Sequence, residues 1–206
     1  MSMPIGFPGL RRRPVMTGPP RLAPLGEPSE DRAALHAAIT TGARASEVSL
    51  VPLTSAEGSL LGPFAIMLLT PKIGLALEQV GAALRFEPNL PARLREMIVL
   101  AVAAHTGCQF EWAAHERAAI VSGLDVTQLQ SILDAQIPER LDTQENCAIR
   151  IATRLLNYTE IGDDLYAEAI ESLGLEMLAT IVWLVGYYSM IAQALATFRL
   201  SLNDVS

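Results

Sequence analysis

A chain of 206 residues that is half hydrophobic and only 18% charged holds enough apolar material for a sizeable core, with some left over for subunit interfaces. Its net charge of −7 excludes a general nucleic-acid binder, because neutralising phosphates takes clustered Lys and Arg, and the single basic run, Arg11-Arg12-Arg13, is too short to change that. Two cysteines, Cys108 and Cys147, separated by 39 positions, make neither a disulfide framework nor a metal-ligand spacing.

Residues 1–28 hold seven of the thirteen prolines and no periodic apolar pattern, and read as an extended arm able to wrap a partner subunit. No apolar stretch follows the three arginines, so no secretory signal is expected and the expected compartment is a reducing cytoplasm. Ser29-Glu30-Asp31 predicts a helix start, with a capping serine and early acids, running to about Thr41. Residues 42–60 read as loop. Gly62-Pro63 opens a helix with proline in its first turn; Thr70-Pro71 breaks it and starts another, to about Arg85. Pro88 and Pro91 bracket a turn, and Pro91 opens the helix that carries Glu96. Gly107 ends that helix, and the next runs from Cys108 to Ser122, stopped by Gly123. Thr127 is expected to cap a short helix to about Ala135, broken by Pro138. Asp142-Thr143-Gln144-Glu145 is close to a capping box and predicts a helix to about Tyr158. Asp163 opens another, ended by Gly174.

The last helix, from about Leu175 to Leu200, contains 22 consecutive uncharged positions from Met177 to Phe198. That length could span a bilayer, but Thr180, Gly186, Tyr187, Tyr188, Ser189 and Gln193 within it favour a buried helix in an oligomer core over a membrane span. No β-branched alternation and no solenoid-period repeat is visible. The chain therefore reads as all-α, with eight or nine helices, and residues 29–206 as a single helical domain.

The segment Leu94–Ala119 concentrates the chemistry. On a helical wheel advancing about 100° per residue, Cys108, Glu111 and His115 fall within an arc of about 60°. A thiol, a carboxyl and an imidazole on one stripe can exchange protons, and Trp112 beside them could exclude water. Glu96 leads into the apolar run Met97-Ile98-Val99-Leu100, where a carboxylate is costly to bury unless it is paired or its pKa rises. Tyr187, Tyr188 and His105 are further candidate substrate contacts. Plainer roles compete throughout. Cys108 could be a small core residue, and Glu111 with His115 a solvated pair one turn apart. Glu96 could be a helix-dipole acid paired with Arg93 or Arg95, His105 a cap for last-turn carbonyls, and Trp112 and the tyrosines core packing.

The order Glu-x11-Cys-x2-X-x3-His, formed by Glu96, Cys108, Glu111 and His115, resembles the carboxymuconolactone decarboxylase and alkylhydroperoxidase-D superfamily. The peroxidase branch carries Glu-x11-Cys-x2-Cys-x3-His; here Glu111 replaces the second cysteine. The decarboxylase branch carries Glu-x3-His, which Glu111 and His115 reproduce. Gly62–Phe86 resembles the family's helical lead-in and Val185–Leu195 its last core helix. The resemblance implies an alkylhydroperoxidase-D-like helical fold assembled as trimers or hexamers. It also implies a site between helices near the Glu/Cys/His cluster and close to a subunit interface, with no organic cofactor or metal.

On that footing the leading expectation is a cofactor-independent decarboxylase-like lyase. It would act on a small carboxylated lactone or an unsaturated or oxo acid. His115 and Glu111 would carry proton transfer, with Glu96 and Cys108 beside them. Two alternatives stand: a thiol-dependent hydroperoxidase using Cys108, and a non-catalytic helical oligomer that binds a small molecule or protein in the same pocket. The expected partners are a small-molecule substrate and further copies of the chain, with no nucleic acid and no membrane.

Overall fold

The computed structural model describes residues 18–22, 25, 29–43, 51–86 and 90–201. Among these residues the chain forms nine helices and no strand; the one β-type pairing is an isolated antiparallel bridge between Thr54 and Leu60. The all-α expectation holds.

The first helix, α1 (Glu30–Thr41), starts where a serine can serve it: the Ser29 hydroxyl accepts from the Arg32 backbone N–H. A short α2 (Pro63–Met67) leads into α3 (Pro71–Phe86), both opened by proline in the first turn. Gly62 precedes α2 at φ 57°, and a side chain there would drive into the Phe110 ring, so both its backbone and its neighbour require glycine.

The centre of the molecule is α4 (Ala92–Thr106), which packs against α5 (Gln109–Val121), α6 (Val126–Leu133), α7 (Thr143–Leu156) and α9 (Gly174–Phe198). Its sequence explains this position. Met97, Ile98, Val99, Leu100, Val102 and Ala103 are all buried, and a helix apolar on every side must be surrounded. Ile98, Val99 and Val102 enter the main core with Ile151, Ile181 and Leu184. Met97, Leu100 and Ala103 enter a second cluster with Trp112, Leu129 and Ile149. Gly107, left-handed at φ 71°, caps α4 by donating to the Ala103 and Ala104 carbonyls and turns the chain so that α5 packs back on α4.

The starts of α6 and α7 show how local and long-range order are joined. Asp125, not Thr127, caps α6: its carboxylate accepts from the Gln128 N–H, and the Gln128 side chain accepts from the Asp125 N–H in return. Thr127 instead donates to Asp125. Asp142 and Glu145 make the capping box expected for α7. Arg93 of α4 then reaches both boxes, donating to Glu145 at 2.6 Å and to Gln128 at 3.1 Å. The helix α6 stops at Leu133, earlier than its sequence pattern suggests, because Ala135 turns left-handed at φ 57° well before Pro138.

After α8 (Asp163–Ser172), α9 runs 25 residues and is long and apolar enough to cross a membrane by length and composition. One face, with Ile181, Leu184, Tyr188 and Leu195, lies in the main core. The other exposes Leu175, Val182, Met190 and Trp183, the last 66% accessible. Within one chain the helix is thus about half buried rather than fully buried. Of the proline-rich arm, residues 18–22 lie beside the end of α9, where the Arg21 N–H donates to the Phe198 carbonyl, and Leu22 packs on the core. Leu25 also packs on the core, while the remaining residues of the arm, and its expected wrap around a partner, lie outside the described residues.

Replacing Arg93 with Met leaves Glu145 and Gln128 without their shared donor. The expected loss is about 2–3 kcal/mol in urea unfolding, with α6 and α7 losing hydrogen-exchange protection together. A loss confined to one of the two helices contradicts the shared clamp.

Candidate active site

Glu96 lies in the second turn of α4 and is 1% exposed. The chain reversal at Gly107 sets it against His115 on α5, whose Nδ1 meets Glu96 Oε2 at 2.7 Å. The other carboxylate oxygen accepts from Arg95 Nε at 3.1 Å. Arg95 is itself held by a 2.9 Å bond from its Nη1 to the Arg85 carbonyl at the end of α3. Burial pushes the Glu96 pKa up. The opposing pull of His115, by charge and by hydrogen bond, and then of Arg85 and Arg95, is the larger and holds it at about 2. Glu96 is therefore an ionised carboxylate at neutral pH. Of the plain alternatives, the Arg95 pair exists, but Arg93 is engaged elsewhere.

An ionised acceptor fixes the tautomer of His115. Nδ1 carries the hydrogen that is donated to Glu96, so in the neutral ring Nε2 is the basic nitrogen. Nε2 stands 3.6 Å from Glu111 Oε2, at ion-pair range but longer than a direct hydrogen bond. The Tyr188 ring packs edge-on against the imidazole, with centroids 5.1 Å apart and planes at 88°. Tyr187 packs the same way on Tyr188 at 5.3 Å. Hydrogen bond and aromatic wall together hold the ring in one orientation.

Glu111, His115, Tyr187 and Tyr188 open onto one cavity of about 80 Å³, whose remaining wall includes Phe64, Phe110, Ile191 and Arg85. Glu111 and His115 are each only 5% exposed, so they are not a solvated surface pair. Of the eight candidate positions, these four share the cavity and Glu96 supports it from behind.

The other three fall elsewhere. Cys108 is the N-cap of α5, at φ −76° and ψ 94°, so the helical wheel does not govern its direction. It lines a separate small crevice with Trp112, Gly107 and Leu133. Burial, and secondarily the negative charge of Glu111, push its pKa up to about 12. Trp112 turns into the second core cluster and does not wall the His115 cavity; its buried indole N–H has no hydrogen-bond partner among the described residues. His105 is exposed at the end of α4 and lines a groove with Tyr158, Val182 and Met190 on another face. Among the described residues no group of three or more His, Cys, Asp or Glu is placed to hold a metal ion.

Arg85 and Phe110 are site residues that no motif announced. Arg85 belongs to the Gly62–Phe86 stretch, and its one signal is a cation at the end of the apolar run Gly81-Ala82-Ala83-Leu84.

Residues 71–154 match the carboxymuconolactone decarboxylase family, a segment that contains Arg85, Glu96, Cys108, Glu111 and His115 but not the tyrosines of α9. Among curated proteins no sequence matches. In fold the chain is similar to the debrominase Bmp8, with 12% identity and a TM-score of 0.59 over 71% of this chain and 84% of that one. It is also similar to a protein of unknown function from Agrobacterium tumefaciens, provisionally linked to antioxidant defence as an AhpD, with 16% identity and a TM-score of 0.58 over 65% and 92%. A cysteine-to-alanine form of Bmp8 in complex with 2,3,4-tribromopyrrole matches over 70% and 78%, with 12% identity and a TM-score of 0.59. At these identities the likeness is one of fold. The matched segment and the helical fold are both consistent with the resemblance read from the sequence.

The Glu96 pair has a pH signature. Its folded pKa lies below the ordinary value of 4.5, so its stabilisation is complete above that value and is lost as pH falls toward about 2. The Glu96→Gln variant is expected to be less stable by about 3 kcal/mol at pH 7. In denaturant titrations the gap should narrow below pH 4.5. A gap that does not change with pH means that Glu96 is not the ionised partner.

Proposed function

We propose that this protein is a cofactor-independent acid/base enzyme of the carboxymuconolactone decarboxylase type, acting on a small carboxylated lactone or an unsaturated or oxo acid. The observation that carries the reading is the buried chain Glu96–His115–Glu111, with its open end, His115 Nε2 and Glu111, facing a mostly apolar cavity. Glu96 stays ionised and acts as a positioning residue: it fixes the imidazole through Nδ1. His115 Nε2 exchanges a proton with a substrate carbon, while the electron pair left or consumed there is shared with a neighbouring carbonyl oxygen. Glu111, on the far side of Nε2, relays that proton. The apolar wall strengthens these interactions by keeping water out.

The thiol-peroxidase alternative is less well supported. The attacking species there is a thiolate, and Cys108 is a buried thiol with its pKa pushed up to about 12, outside the cavity. For assembly, the exposed apolar face of α9 supports a homo-oligomer, with trimers or hexamers as in the resembling family, and the cytoplasm remains the proposed compartment.

The test is deuterium uptake from solvent, or decarboxylation, with a panel of small lactone and unsaturated acids. His115→Gln and Glu111→Gln are each expected to lower the rate by roughly 10²–10⁴-fold while circular dichroism is unchanged. Cys108→Ala is expected to keep it within about threefold, since the mechanism uses no thiolate. Turnover that survives His115→Gln sinks the acid/base reading, and turnover lost with Cys108→Ala revives the thiol.

A further inference from the structure

We infer that Arg85 is the anion-binding residue of the cavity: it takes the carboxylate of the substrate and points the rest of the molecule at His115. The inference rests on the proposed acid/base function and adds the residue that selects the substrate's charge. The cavity wall places a guanidinium and a carboxyl in one otherwise mostly apolar space, where Arg85 and Glu111 face a lining that includes Phe64, Phe110 and Ile191. His115 and Arg95 each bond one oxygen of Glu96, and the positive charge of Arg85 reaches the same carboxylate. Arg85 is half-buried at the end of α3, and its carbonyl is fixed by Arg95, so the residue that holds Glu96 also holds the backbone from which Arg85 reaches the cavity.

Charge complementarity then sets the orientation. The negative Glu111 repels a carboxylate and Arg85 attracts one, so an acid binds with its carboxylate toward Arg85 and its apolar body against the aromatic wall. A planar guanidinium suits this task, because it can meet a carboxylate with two parallel hydrogen bonds. A chemical consequence follows. An ion pair with Arg85 stabilises the bound carboxylate more than a transition state in which its charge has moved away. The carboxylate held there is therefore kept, and proton transfer or any decarboxylation takes place at another carbon, at the His115 end.

The probe is a planar five-membered-ring acid, furan-2-carboxylate, set against its neutral isostere furan-2-carboxamide, with affinities measured by titration calorimetry on the full-length native protein. Wild type is expected to prefer the acid by roughly tenfold or more. Arg85→Met should bring the acid down to the affinity of the amide, and Arg85→Lys should restore part of the preference. Unchanged preference in Arg85→Met, no preference in the wild type, or no detectable binding of the acid overturns the proposal. So does an Arg85→Met variant that loses proton-exchange rate but keeps its preference for the acid, since the guanidinium would then serve the developing oxyanion instead. The readout is equilibrium binding, so it stands or falls separately from the deuterium-uptake result for His115.

Discussion

The arrangement depends on one buried contact, the 2.7 Å bond between His115 Nδ1 and Glu96 Oε2. A carboxylate that is 1% exposed, in the buried helix at the centre of the molecule, is tolerable only because an imidazole and two arginines surround it. Those partners arrive from α3, α4 and α5, so the charge cannot be satisfied until three helices are in place. Satisfying it also aims the imidazole. The same bond that offsets the burial of Glu96 leaves Nε2 as the nitrogen on the cavity side.

Much of this was legible in the sequence, and the reasons are physical. The acid ahead of Met97–Val102 had to be paired or shifted, and it is paired. The i, i+4 spacing of Glu111 and His115 survives because both lie inside a regular helix. The same wheel fails for Cys108 because it is the N-cap, where backbone angles are no longer helical and side-chain direction cannot be extrapolated. Trp112 is an intermediate case. Lying one residue along from Glu111 rotates it toward the second cluster, and only the positions of α6 and α7 reveal that such a cluster exists. Arg85 was beyond reach for another reason. Its place in the wall of the His115 cavity comes from how α3 packs on α1, α2 and α9, and no local pattern encodes that packing.

The network around Arg93 shows a second way in which sequence patterns carry more than they first reveal. Gln128 and Glu145 are each the third helical residue of a capping box, a purely local signal. Both also bind one arginine from the central helix. A capping residue that is also a tertiary ligand removes the freedom of a helix to start one residue earlier or later, so the register of α6 and α7 against α4 is set from their first turns.

The seclusion of sulfur has an effect of its own. Both thiols in the chain are buried and both are pushed toward the protonated form. A thiol that does not ionise reacts slowly with peroxides, disulfides and electrophiles. Cys108 keeps the place that a cysteine holds in the peroxidase-branch motif, yet here it is a buried, protonated thiol. Sulfur in the folded chain is thus shielded from the oxidation state of its surroundings, and it is unfolding that exposes it.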